Sequence, residues 1–155
     1  MVRHGVQVEL QNLAPAEGLP PAIIGSNDQG LPLGTNRMLL SVYSPFPISA
    51  ASLDGRPVAV ETQREFGRLV HTVLIDLPPN SSSALHFELA GFADLSDGYD
   101  VHLPLQPLVS TDEVRWAVHA DRIQELPAGW SQRSDGAVEL EQPAQSSARF
   151  RFDLG

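Results

Sequence analysis

The sequence contains no cysteine and no lysine. Lack of cysteine excludes disulfides, thiolate-bound zinc and cysteine nucleophiles together. All ten basic residues are therefore arginine, set against 19 acids, for a formal net charge of -9 and a pI of about 4.8. A surface of that sign repels phosphate backbones and anionic lipid headgroups, which argues against a nucleic-acid partner. The exclusive use of arginine reads as codon bias in a GC-rich genome. No apolar run approaches the roughly 18 residues of a membrane span, so no direct membrane insertion of this segment is expected. No basic-then-apolar leader opens the chain. Met1-Val2-Arg3 runs straight into an alternating pattern, which reads either as a cytosolic start or as an added methionine on an excised domain. Aromatic residues are few: two Trp, two Tyr and six Phe.

What the sequence does contain is alternation. Val6, Val8 and Leu10 alternate with polar residues, as do Met38, Leu40 and Val42. Leu69, His71, Val73, Ile75 and Leu77 share one face of a longer strand, and Leu85, Phe87 and Leu89 share another. Tyr99, Val101, Leu103 and Leu105, then Val114, Trp116 and Val118, then Val138 and Leu140, then Phe150, Phe152 and Leu154 repeat the theme. Period two with one wet face is the antiparallel habit. Asp54-Gly55, Asp97-Gly98 and Asp135-Gly136 are turn signals, because both residues tolerate positive φ. SLDGRPVAV reads as a hairpin with Pro57 at a strand edge, and LPPNSSSALHFEL as a second hairpin. No helix of ten residues is expected.

About ten short strands separated by turns predict an all-β fold, an antiparallel β-sandwich of immunoglobulin-like or jelly-roll-like type, with a closed barrel as the alternative. A chain of 155 residues suffices for one core, since a domain of this size buries roughly 70% of its unfolded surface. Residues 1–155 are read as a single domain. The alternative of two small β-units would place their seam near Gly91 to Asp100.

Read in order, VQVELQNLAPAEGLPPAIIG, GLPLGTNRMLLSVYSP, LDGRPVAVETQREFGRLVHTVLIDLPPNSSSALHFELAG, LPLQPLVSTDEV and PAGW resemble the C-terminal β-rich region of domain-of-unknown-function family 4012, over Val6 to Trp130. The resemblance implies an actinobacterial envelope protein with a membrane segment well before this region. It also implies an extracytoplasmic location and a domain excised from a membrane-anchored parent. It carries over no catalytic residue.

Candidate chemistry is sparse. The connection between Asn12 and Arg37 is long for a compact domain, and long loops are often functional. Asn27 and Asp28 within it could line a binding pocket. Ile23 and Ile24 beside them are expected to be pinned across a sheet face, which would make the same segment a packed connection. Asp94, Asp97 and Asp100 could offer oxygens to calcium, although the spacing is not that of an EF-hand; solvated carboxylates at an Asp-Gly turn explain the same letters. The five histidines are scattered singly, without the spacing of a zinc pair, and His71 reads as a hydrogen-bonded core histidine. Trp130, between turns, is the candidate stacking platform for a sugar; its plainer reading is a plug over one end of a sandwich.

No nucleophile elbow and no marked carboxylate pair point to an enzyme, and no cofactor is expected. Together with the envelope context that the resemblance implies, this makes the leading reading a non-catalytic, extracytoplasmic domain of an envelope protein with a structural or protein-interaction role. Its partner would be a protein or a neutral glycan of the cell envelope. A glycan-binding module, calcium-assisted or not, is the alternative, and a hydrolase the next.

Overall fold

The computed structural model describes residues 2–25, 29–92, 94, 96, 98–103, 113–118, 123, 125–143 and 147–153. The chain divides into two compact units, Met1–Ala93 and Asp94–Gly155. Among the described residues the regular structure is twelve strands and one helical turn of four residues. Every strand pair is antiparallel, so the all-β antiparallel class expected from the period-two pattern is the one observed.

The first unit holds β1 (Val2–Asn12), β2 (Asn36–Ser44), β3 (Ile48–Leu53), β4 (Arg56–Pro57), β5 (Glu61–Glu65), β6 (Arg68–Leu77) and β7 (Ser81–Gly91). One sheet has the order β1-β7-β3-β4, the other β2-β6-β5. Val73 and Ile75 of β6 meet Leu85 and Phe87 of β7 in the core. Around them pack the alternating residues of β1 (Val6, Val8, Leu10) and β2 (Met38, Leu40, Val42). The result is a two-sheet sandwich whose inner faces are the apolar registers of the sequence. Each side chain so buried contributes about 1.5–3 kcal/mol. Asp54-Gly55 makes the expected hairpin, with Pro57 on the edge strand β4. LPPNSSS departs from expectation: β6 and β7 belong to different sheets, so the segment arches over the core instead of closing a hairpin. Both strands are apolar on one face, and those two faces bury each other.

Two devices lock the ends of this sandwich. At one end the chain crosses between sheets through Ser44-Pro45-Phe46-Pro47. The Phe46 N–H donates to Ser44 Oγ (2.9 Å), and its carbonyl accepts from His71 Nε2 (3.1 Å). His71 is fully buried, as a hydrogen-bonded core histidine should be. A carbonyl can only accept, so Nε2 carries the proton and Nδ1 accepts from the Thr62 hydroxyl (2.9 Å). The Phe46 ring lies directly against Gly91, where a Cβ would collide with it. The His4 ring stacks on Phe46 at 5.2 Å and 15°. At the other end Asn12 is buried. Its Nδ2 donates to the carbonyls of Gly34 (2.8 Å) and Leu77 (2.9 Å), and its Oδ1 accepts from the Ala14 N–H (3.0 Å).

Asn12 thus ties both ends of the long connection to the sheet. Within that connection α1 (Pro21–Ile24) is one turn. Ile24 is half-buried and lies against Gly34, but Ile23 is 70% exposed. The expectation that both isoleucines are pinned is corrected here. Adjacent residues in a helical turn point about 100° apart, so only one can face the sheet.

The second unit holds β8 (Tyr99–Leu103), β9 (Glu113–Val118), β10 (Ser131–Gln132), β11 (Val138–Pro143) and β12 (Ala148–Phe152), paired as β10-β11-β9 and β12-β8. Asp135-Gly136 turns the chain between β10 and β11, with the Arg133 N–H donating to the Ala137 carbonyl (2.7 Å). The unit has its own apolar cluster of Trp130, Val138, Leu140 and Phe152.

Two stability outcomes follow from the first unit. Gly91→Ala forces the Phe46 ring from its seat and should destabilise the unit by about 1–3 kcal/mol in urea titration. Half-burial holds the His4 imidazole below its ordinary value. On acidification the unfolded chain therefore takes up this proton first, and stability present above about pH 6.5 is lost as pH falls below it. His4→Gln should flatten that part of a melting-temperature profile measured between pH 7.5 and 5.

Candidate functional site

The residues singled out from sequence fall in different places. Asn27, Asp28 and Asp97 lie outside the described residues. Asp94 is exposed, and its Oδ1 accepts the Ser96 N–H (3.0 Å). That bond and the Ser96 hydroxyl hold its carboxyl below the ordinary carboxylate value. Asp100 on β8 faces Arg151 on β12, its direct cross-strand partner, at 3.2 Å. Each of these carboxylates thus has a local protein partner. No cluster of three metal-ligating side chains occurs among the described residues.

Trp130 is 7% exposed. Its ring meets Phe152 edge-on at 4.8 Å and Phe150 at 5.4 Å. The faces a sugar would stack on are covered, and the residue is the plug of the second unit. Its buried Nε1 has no hydrogen-bond partner among the described residues.

Two surface hollows are large enough for a small molecule. One of about 570 Å³ in the second unit is lined by Ser96, Glu125, Leu126, Pro127, Ala128, Arg151 and Asp153. It has a hydroxyl but no histidine to activate it, and its arginine already pairs with Asp100. The other, of about 480 Å³, lies beside Asp54, Arg56 and Val58. There the Asp54 carboxylate is committed to the Ala84 N–H (2.8 Å). The larger hollow brings the carboxylates of Glu125 and Asp153 to one lining with the Ser96 hydroxyl, and among the described residues neither hollow is lined by a histidine.

The feature that stands out lies on the outer side of β2-β6-β5. Glu65 and Arg68 pair across a two-residue loop, Phe66-Gly67. Phe66 has φ 47° and Gly67 φ 78°, the positive pair of a type I′ hairpin turn. Asparagine or aspartate normally takes the first of these positions. A bulky L-residue held there costs on the order of 1–3 kcal/mol. Phe66 is also 99% exposed, so its ring recovers nothing by packing. Beside it the Tyr43 hydroxyl reaches from β2 across β6 to donate to Glu65 Oε2 on β5 (2.9 Å). The bond, with the Glu65 charge, raises the tyrosine above its ordinary value. On the same face Leu39 (70% exposed) and Leu74 (49%) are direct cross-strand partners.

Sequence reasoning missed Phe66. The signal was present: QREFGRLV sets Phe-Gly between polar and apolar strand patterns at two-residue spacing. No protein-family model, curated protein or solved structure matches the chain.

Replacing Phe66 by Asn supplies the Asn-Gly pair that this turn favours. The variant should gain about 1 kcal/mol, seen as a rise of roughly 4–8 °C in the melting of the first unit. Trp130→Ala should cost about 3–5 kcal/mol. Trp130→Phe, which also removes an unpaired buried N–H, should cost far less in the same urea titration.

Proposed function

We propose that the chain is a non-catalytic interaction domain of an extracytoplasmic, actinobacterial cell-envelope protein, and that it engages a protein partner through the Phe66 end of its first unit. The observation that supports this is Phe66 itself, an aromatic ring in full solvent contact on a strained turn that asparagine would satisfy better. Backbone strain combined with an exposed aromatic stabilises nothing within the domain, and aromatic side chains of this kind serve as anchors in protein interfaces. The envelope location rests on the sequence resemblance.

The experiment is site-specific photocrosslinking in the native cell, with benzoylphenylalanine at position 66 and, as control, at Arg56. A discrete protein adduct is expected from position 66 and not from 56. No adduct, or the same adducts from both, would contradict the reading. Under it, calcium and neutral wall-glycan fragments should leave the melting temperature unchanged. A rise of roughly 5–10 °C with either, at about 100 times its dissociation constant, would favour the glycan-binding module instead.

A further inference from the structure

Strand register sorts the charges of the first unit by end. The Phe66 turn closes β5 and β6 beside the last residues of β2, since Ser44 pairs with Leu69. The Phe46 ring against Gly91 brings the end of β7 to the same pole, and with it the start of β1, where Val2 pairs with Gly91 and Arg3 with Ala90. Arg3, Arg64 and Arg68 therefore gather at this pole. All three are exposed, and none makes an ion pair among the described residues. The acids there are Glu65, whose carboxylate accepts the Tyr43 hydroxyl, and Glu88, opposite Gly5 on β1. At the far pole stand Asp54, whose strand β3 ends opposite Leu85, Arg56 just past it on β4, Asp76, paired with Arg37 at 3.2 Å, and Glu17 in the connection after Asn12.

An acidic chain thus presents a basic, aromatic-tipped end. We infer that this pole docks into an apolar pocket rimmed by carboxylates on the protein partner, with Phe66 in the pocket and Arg64 and Arg68 on the rim. The inference rests on the reading of Phe66 as an interface residue and adds the chemistry of what it meets. Charge complementarity carries it. An acidic rim repels a chain of net charge -9 as a whole and attracts the three arginines gathered at this pole, so the encounter is both faster and oriented. A bilayer suits the pole less well, because anionic headgroups repel the same net charge and a lone ring gives a shallow anchor.

The test carries benzoylphenylalanine at position 66 through two further changes in the full chain. Arg64→Glu with Arg68→Glu should cut the yield of the protein adduct roughly tenfold or more. Arg56→Glu at the opposite pole, which also makes the chain more acidic, should leave it within about twofold. For the partner identified by mass spectrometry and purified, the association rate with the unmodified chain should fall steeply between 50 and 500 mM salt. An adduct indifferent to both the arginine pair and salt would overturn the acidic rim while leaving Phe66 as the contact. An equal loss from Arg56→Glu would overturn it too, since net charge alone would then be acting. Sedimentation of the purified chain with vesicles of three parts phosphatidylcholine to one of phosphatidylglycerol, lost on Phe66→Ser, would replace the protein pocket with a lipid surface. Absence of any protein adduct would remove the underlying reading along with the inference.

Discussion

Phe46 is the constraint on which the geometry of the first unit depends. The chain must pass from the three-stranded to the four-stranded sheet between Ser44 and Ile48, and it does so in a segment with prolines on either side of Phe46. The backbone polar groups of Phe46 are satisfied by Ser44 and by a fully buried histidine. Its ring fills the space over Gly91 and receives the His4 ring. One side chain thereby sets the ends of β1, β6 and β7 against one another. The hairpin tip and the arginines of this pole are gathered as a consequence. A chain without that clamp could keep the same strands and lose the clustering of charge.

At the opposite end Asn12 performs the complementary task. Its amide satisfies carbonyls 22 and 65 residues away, so the long connection leaves the sheet from a fixed point and returns beside it. That connection is therefore tethered at its ends while its apolar helical turn is only partly packed. Ile24 supplies the packing, and Ile23 faces water.

Much of the fold was legible because alternation in the sequence is a direct image of burial. His71, Val73, Ile75 and Leu77 face inward as their spacing requires, and so do Leu85 and Phe87. The arch between β6 and β7 was not legible. An apolar face does not say whether its partner lies beside it in the same sheet or across the core. Of the candidate site residues, Trp130 was legible in part. Its plainer reading as a plug agrees with its burial, but nothing near Pro127, Gly129 and Ser131 showed that Phe150 and Phe152, some twenty residues on, would pack on it. Asp100 likewise gave no sign in sequence that Arg151 would face it, because that pairing depends on the register of β8 with β12. Phe66 was overlooked for the opposite reason. Its importance lies in backbone angle and exposure, which a search for catalytic or metal-ligating residue types does not weigh.

The central claim is that the Phe66 ring is exposed in the isolated chain because it is covered in the working one. Hydroxyl-radical footprinting of the protein, once purified and once in its native cell, measures this directly. Phe66 should be oxidised rapidly in the purified protein and strongly protected in place, while Leu13 of the opposite pole, 76% exposed, stays reactive in both. Equal oxidation of Phe66 in the two settings would contradict it.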